Sequence, residues 1–185
     1  MADSLTNKVT VLLSTSSGAF TNTSFILPGQ PGPISLVTSD FNGDGIADLA
    51  ASSGSALTFF YGHGSGTFRA GKTITLPLTA PVLALSAGTF HLGGGIGVAV
   101  ANADAILLVE NSGLISAPVS VPNFRSFAVA DLNTDGAADL VVLQNTSQQV
   151  AIYLNNGAGD FFLPNSFYPT GAAYPISATA GRFRR

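Results

Sequence analysis

The chain has 185 residues, a formal net charge of −3 and no cysteine. These values exclude a disulfide framework and a thiolate metal site, and they argue against a nucleic-acid-binding surface. Helix formers are scarce, whereas glycine (21 residues) and proline (10 residues) are plentiful, which indicates one all-β domain of short strands joined by turns. The most apolar region, residues 93–109, is interrupted by Asn102 and Asp104, so we expect two buried strands there and no membrane span.

An internal repeat runs through the sequence. The segment DFNGDGIADL, which starts at residue 40, returns as DLNTDGAADL at residue 131. A degenerate copy, TFHLGGGIGVAV, starts at residue 89, and the C-terminal AGRFRR contains a fourth start near residue 182. Gly-rich turns that end in phenylalanine, such as GHGSGTF and NNGAGDF, recur in register with this repeat. Each unit therefore predicts a strand, an Asp-rich loop, a strand, a turn, a strand, a Gly-rich turn and a strand.

In chain order, the repeat divides the sequence into five pieces. These are the last strands of one unit (1–30), a unit with an Asp-rich loop (31–79), a unit with a degenerate loop (80–122), a second unit with an Asp-rich loop (123–170) and the first strand of an incomplete unit (171–185). In the first full unit we expect strands near residues 34–39, 49–52, 57–61 and 68–76. Four strands in roughly 40–50 residues is the period of a propeller blade. We therefore predict an all-β β-propeller built from four-stranded blades, with three full repeats and two partial ones.

The two Asp-rich loops hold six of the ten acidic residues of the chain, and no lysine or arginine lies inside either loop. Carboxylates held close together repel one another, so a bound cation is the simplest neutraliser. When the loop curls, its alternate residues converge, and they offer side-chain oxygens at positions 1, 3, 5 and 9 and a backbone carbonyl at position 7. The predicted ligands are Asp40, Asn42, Asp44, Ile46 and Asp48 in the first loop, and Asp131, Asn133, Asp135, Ala137 and Asp139 in the second.

This oxygen-only ligand set favours Ca²⁺, because Mg²⁺ usually keeps several waters and Zn²⁺ prefers Cys and His. The loop is similar to the first half of an EF-hand loop, but Ala51 and Val142 stand where an EF-hand needs its last glutamate. Asp-Gly and Asn-Gly sequences also form turns without metal. Because both loops share five ligand positions in register with the repeat, we expect two structural Ca²⁺ sites per chain.

The second repeat lacks these carboxylates. Its corresponding positions hold Thr89, His91, Gly93 and Gly97, so we expect no metal there. The remaining acidic residues and the two histidines form no recognisable nucleophile or acid–base motif, and we expect no enzyme activity.

The pattern DFNGDGIADLA…LTFFYGHGSGTF resembles the FG-GAP/VCBS repeat of integrin-α-like β-propellers, and the resemblance covers nearly the whole chain. It implies a propeller fold, Ca²⁺ bound by the loop between the first two strands of a blade, and an extracellular or cell-surface location. The family includes integrin heads and some fungal lectins, so it implies a non-enzymatic module for recognition or adhesion that binds a protein or a glycan. The aromatic residues that could stack on a sugar are Tyr61, Tyr153, Tyr168 and Tyr174, although we expect most of them to pack between strands.

Two other roles stay open. The chain could be an accessory propeller fragment of a larger secreted hydrolase or lyase. It could also be an assembly module, because its pieces total roughly fifteen strands, fewer than four blades. An open row of blades exposes strand edges and apolar faces. We therefore expect a homo-oligomer, with a dimer as first choice, that completes a propeller ring; a self-closed monomer of four blades and a piece of a larger propeller are the alternatives.

Overall fold

The computed structural model describes residues 2–3, 5–6, 8–26, 35–145, 148–161, 166–171 and 176–180. These residues form fifteen β-strands, which confirms the all-β class. Within these ranges, no helix has the length and hydropathy needed to cross a bilayer. The chain divides into two compact units, Met1–Leu85 and Ser86–Arg185.

The first unit contains two antiparallel sheets. The first has three strands in the order β1-β2-β3, and the second has four strands in the order β4-β5-β6-β7. The strands are β1 (Ala2–Asp3), β2 (Lys8–Ser14), β3 (Phe20–Ile26), β4 (Ser35–Ser39), β5 (Asp48–Ser53), β6 (Ala56–Gly62) and β7 (Phe68–Thr75).

The second unit holds two four-stranded antiparallel sheets, in the orders β11-β10-β9-β8 and β12-β13-β14-β15. The first strand of the former, β8, begins at the end of the first unit. The strands are β8 (Ala84–Gly88), β9 (Gly97–Ala101), β10 (Ala105–Val109), β11 (Val119–Ser120), β12 (Phe124–Ala130), β13 (Asp139–Gln144), β14 (Gln149–Tyr153) and β15 (Ser166–Pro169).

Each four-stranded sheet is a meander of consecutive strands, so one repeat makes one blade. The central strands carry the core, since every residue of β5 and of β9 is buried, whereas most of β7 is exposed. A strand covered on both faces needs a short apolar run instead of alternation. The sequence GVAVA of β9 is such a run. In the first unit, Val9, Leu49, Ala51 and Phe60 form one buried cluster.

The strands of the first full repeat lie close to the predicted positions, although Ile34 falls outside the described residues. The N-terminal piece, predicted as the last strands of one unit, has three strands, because β1 joins β2 through the pairs Ala2–Val9 and Asp3–Lys8. At the C-terminus, residues 176–180 form no strand, and the rest of the predicted strand lies in 172–175 and 181–185, outside the described part. Ile176 is 71% exposed, which fits a segment with no sheet to join within the described ranges.

Candidate metal sites

The first Asp-rich loop joins β4 to β5, and hydrogen bonds to its own side chains wind it into a tight turn. Asp40 Oδ1 accepts the N–H of Gly43 at 2.7 Å and that of Asp44 at 3.1 Å, and its Oδ2 accepts the N–H of Gly45 at 2.8 Å. Asn42 Oδ1 accepts the Asp44 N–H at 2.9 Å, while Asn42 Nδ2 donates to Asp44 Oδ2 at 2.9 Å. Gly43 and Gly45 have φ of +78° and +83°, a conformation that glycine adopts without strain. The loop thus gathers the side-chain oxygens of positions 1, 3 and 5.

Hydrogen bonds to Asp40 favour its negatively charged form, which can bind a cation. The hydrogen bond from the Gly45 N–H, with those from Gly43 and Asp44, lowers the pKa of Asp40 from its ordinary value of 3.8. Hydrogen bonds from N–H groups favour the charged form of a carboxyl group. Asp40 is therefore a carboxylate at neutral and mildly acidic pH.

Asp48, the predicted ligand at position 9, also accepts hydrogen bonds from the backbone. It is fully buried, and its Oδ2 accepts the N–H groups of Phe41 at 3.0 Å and Asn42 at 3.2 Å. Its Oδ1 accepts the N–H of Gly62, the last residue of β6, at 2.9 Å. Asp48 therefore clamps the start of the loop to the far end of the blade. A carboxylate offers about four acceptor directions, so three N–H bonds leave about one for a cation.

The second Asp-rich loop joins β12 to β13 and repeats this arrangement with fewer bonds. Asp131 accepts the N–H groups of Asp135 and Gly136, each at 3.1 Å. Asn133 Oδ1 accepts the Asp135 N–H at 3.2 Å, and Asn133 Nδ2 donates to Asp135 Oδ2 at 2.7 Å. Thr134 occupies the position of Gly43 with φ of +63°. Both loops thus link the same three side-chain positions through equivalent hydrogen bonds.

Asp139 is the clamp of the second loop. It is fully buried, and it accepts the N–H groups of Leu132 at 2.8 Å and Asn155 at 2.9 Å. Asn155 stands at the position that Gly62 has in the first repeat, just beyond the third strand of the blade. Asp139 and Asp48 are therefore equivalent. In each blade the aspartate joins the start of the Asp-rich loop to the end of the third strand.

The donor set of each loop fits a hard cation. Within the described residues, no three side chains of Asp, Glu, His or Cys come together as a metal site. Asp48 and Asp139 direct their oxygens at backbone N–H groups, so an amide oxygen and the carbonyl at position 7, from Ile46 or Ala137, would have to complete the shell. The ion pair between His91 and Glu110 involves none of the six aspartates, and no lysine or arginine lies inside either loop. An all-oxygen set of this kind suits Ca²⁺. The ten predicted ligands stay predictions.

The loop of the second repeat, between β8 and β9, is held by protein groups. His91 Nδ1 lies 2.7 Å from Glu110 Oε1, and both side chains are about one quarter exposed. The Leu92 N–H donates to the Gly157 carbonyl at 2.9 Å. His91, which stands at a ligand position of the repeat, therefore bonds to a carboxylate of its own blade. That this loop binds no metal stays a prediction.

Asn155 is a site residue that the sequence analysis missed. Its buried Nδ2 donates to the carbonyls of Phe90 at 2.8 Å and Ala138 at 3.0 Å. Its Oδ1 accepts the N–H groups of Gly157 at 2.9 Å and Gly159 at 3.2 Å. Every hydrogen-bonding direction of the amide is used, and the side chain joins the second repeat to the third. The signal for it is a polar residue directly between an apolar strand and a Gly-rich turn.

The four tyrosines differ in their access to a ligand. Tyr61 is half-buried beside an arginine side chain that lies 4.8 Å from its ring centre. Tyr153 is buried, its hydroxyl donates to a carbonyl of β11 at 3.3 Å, and burial raises its pKa above the ordinary 10.0. Tyr168 is 53% exposed, and Tyr174 lies outside the described residues. Among the tyrosines that the structure describes, Tyr168 presents the most open ring.

Comparison with known proteins identifies the repeat family of the chain. The model of the FG-GAP-like repeat matches residues 1–51, 40–104 and 131–185, which is most of the sequence. A search of curated proteins found no match.

Two solved structures show a similar fold. One is BBS1N in complex with ARL6DN, with a TM-score of 0.54 and 19% identity over 77% of this chain and 41% of that chain. The other is virginiamycin B lyase from Staphylococcus aureus, with a TM-score of 0.57 and 17% identity over 95% of this chain and 54% of that chain. The chain thus spans about half of their length or less, and at such identities the likeness concerns the fold alone. With its repeated four-stranded sheets and its matches to the repeat model, the chain belongs to the FG-GAP-like repeat family and has the fold of a β-propeller module.

Proposed function

We propose that the chain is a non-enzymatic, calcium-binding β-propeller module for recognition or adhesion, which works outside the cell or at its surface. The observation that carries the proposal is the repeated loop. Twice, two aspartates and one asparagine lie in a loop that ends at a fully buried aspartate, and no lysine or arginine lies inside either loop. A divalent cation in each loop supplies the missing positive charge.

Calcium has a structural role in this proposal. A cation that binds the folded loop and not the unfolded chain stabilises the fold by linkage, by about 2.7 kcal/mol per site when its concentration is 100 times the dissociation constant. In the first loop it would be held by Asp40, Asn42 and Asp44, with the Ile46 carbonyl and Asp48. In the second loop the corresponding residues would hold it.

The test is thermal unfolding by differential scanning calorimetry in CaCl₂, in MgCl₂ and in EDTA. We expect Ca²⁺ to raise the melting temperature more than Mg²⁺ does. The variant in which Asp44 and Asp135 are both replaced by alanine is the control, and its melting temperature is expected to be the same in all three solutions. An equal response of the wild type to Ca²⁺ and Mg²⁺, or none, would reject the calcium proposal.

The ligand in the proposal is a protein or a glycan. The exposed ring of Tyr168 near the end of a blade offers a flat apolar surface of the kind that binds sugars and peptides. The calcium-loaded protein is screened on a glycan array, with Tyr168→Ala as the matched variant. Specific glycan signals that the variant loses support a lectin-like role, whereas an empty array directs the search to protein ligands.

The proposal includes a homo-oligomer, with a dimer as first choice, in which copies complete a propeller ring. Its structural support is the edge of β2. There β1 covers only Lys8 and Val9, so within the described residues no strand pairs with 11–14 on that side. Leu12 and Leu13 are 51% and 36% exposed, and a cavity of about 420 Å³ lies between β2 and β4. An unpaired edge beside an apolar groove is a surface for strand addition.

Sedimentation velocity over a range of concentrations, in Ca²⁺ and in EDTA, tests this part. A discrete dimer or larger closed species is expected, and Leu12→Lys is expected to weaken it. A monomer at every concentration would contradict the association and favour a self-closed chain.

A further inference from the structure

We propose that the two loops bind calcium with unequal affinity, so that the first stays filled while the second fills and empties as the calcium concentration changes. This inference rests on the calcium binding proposed above. It is carried by the fourth position of the loop, where the first repeat has Gly43 and the third has Thr134. Both residues have left-handed backbone angles, with φ of +78° and +63°.

The conformation of Thr134 is strained. A β-branched residue at positive φ brings its side chain against the backbone, a penalty that glycine does not carry. A local hydrogen bond from Thr134 Oγ1 to the Asn133 carbonyl at 2.7 Å offsets part of this strain. Replacing glycine by threonine also reduces the freedom of the cation-free loop, but where φ is positive this gain is smaller than the strain. Because residues 131–136 are all exposed, a cation-free loop can release the strain, and calcium must restore it.

The hydrogen bonds of the two loops also indicate that the first loop binds calcium more tightly. Asp40 accepts three backbone N–H groups, at 2.7, 2.8 and 3.1 Å, whereas Asp131 accepts two, both at 3.1 Å. Likewise Asp48 accepts three N–H groups and Asp139 accepts two. The first loop is thus held more completely in the shape that binds the cation, so it has less conformational freedom to lose on binding.

The second loop also contacts another repeat. The Ala138 N–H, next to the clamp Asp139, donates to the Thr89 carbonyl at 2.8 Å. The Leu92 side chain packs close to Gly136, 3.4 Å from where a Cβ atom on that glycine would lie. Filling the second loop therefore orders the contact between the second and third repeats, so this contact follows the calcium concentration.

The experiment is isothermal titration with CaCl₂ on two proteins that each keep one loop. Asp135→Ala leaves the first loop and Asp44→Ala leaves the second, and the asparagine substitutions at the same positions serve if an alanine variant does not fold. We expect the second loop to bind about tenfold more weakly than the first. Thr134→Gly in the protein that keeps the second loop should recover most of this factor. Gly43→Thr in the protein that keeps the first loop should lose about as much.

Each result decides a separate point. Dissociation constants within a factor of two of each other, or a Thr134→Gly variant with unchanged affinity, would overturn the inequality while leaving calcium binding intact. No binding heat in either single-loop protein or in the wild type would overturn calcium binding itself. Hydrogen exchange of the wild type is the independent readout. The amide of Ala138 should gain protection at a higher calcium concentration than the amide of Gly45, and simultaneous protection would contradict the ranking.

Discussion

Asp48→Asn separates the clamp from the cation site. The substitution keeps the size of the side chain but replaces one oxygen that accepts buried N–H groups with an NH₂ group that cannot accept. If the remaining oxygen keeps the N–H groups of Phe41 and Asn42, that of Gly62 loses its partner. A buried donor left without a partner costs about 1–3 kcal/mol, and bonds to a charged acceptor are the stronger ones. We therefore expect Asp48→Asn to lower the free energy of unfolding of the first unit by about 2–4 kcal/mol, even without calcium.

The matched control is Asp44→Asn in the same loop. Asp44 is exposed, so its substitution should change the free energy of unfolding in EDTA by no more than about 0.5 kcal/mol. In calcium, both variants should lose the stabilisation that the cation adds. The assay is urea unfolding followed by far-UV circular dichroism, in EDTA and in CaCl₂, together with hydrogen exchange of the Gly62 amide.

One result would refute the reasoning. If Asp48→Asn in EDTA unfolds at the same urea concentration as the wild type and the Gly62 amide keeps its protection, Asp48 is no clamp. Its burial would then serve the cation alone.

Three further predictions concern single residues. Asn155→Ala should lower the free energy of unfolding of the second unit by about 2–4 kcal/mol in urea titrations, because four backbone groups lose their partner, whereas Asn156→Ala in the exposed part of the same turn should cost about 1 kcal/mol or less. Gly62→Ala should destabilise the first unit by about 1–3 kcal/mol in the same assay, since its Cβ would collide with the Ala47 carbonyl oxygen; an unchanged midpoint would mean that the blade yields there. In an NMR titration of the carboxyl carbon, Asp40 should have its midpoint below 3.8. Because this folded-state pKa lies below the unfolded value, the contribution of Asp40 to stability should be complete above about pH 4 and disappear as the pH falls through the lowered pKa; a midpoint at or above 3.8 would contradict the amide hydrogen bonds.

The sequence was sufficient for the strands of the first full repeat and for the position of the Asp-rich loops, because their signals are local. The sixth position of each Asp-rich loop is a glycine, which permits a sharp turn, and Gly45 and Gly136 have φ of +83° and +90°. Short apolar runs such as GVAVA marked the buried strands, since a strand covered on both faces has no polar residues to alternate. Composition and spacing alone were enough for these features.

The hydrogen bonds of Asp48 and Asn155 could not be predicted from local patterns, because some of their partners are distant in the sequence. The alternation of ligand positions in the sequence predicts the same role, that of a metal ligand, for Asp48 and Asp40. The structure shows instead that the oxygens of Asp48 face backbone N–H groups, one of them that of Gly62, 14 residues away. Asn155 reaches Phe90 across 65 residues. Which polar residue is buried at such a junction depends on how two blades meet, and a local pattern does not contain that information.

The pair His91–Glu110 gives the middle repeat a distinct chemistry. Gly97 stands where the other full repeats have a buried aspartate, so this blade has no anion at that interior position. Its carboxylate is instead Glu110, about one quarter exposed and beside the imidazole of His91. Its loop is fastened by bonds that a chelator does not remove. When calcium is withdrawn, the two Asp-rich loops should loosen, while the loop that lies between them in the sequence should keep its hydrogen bonds.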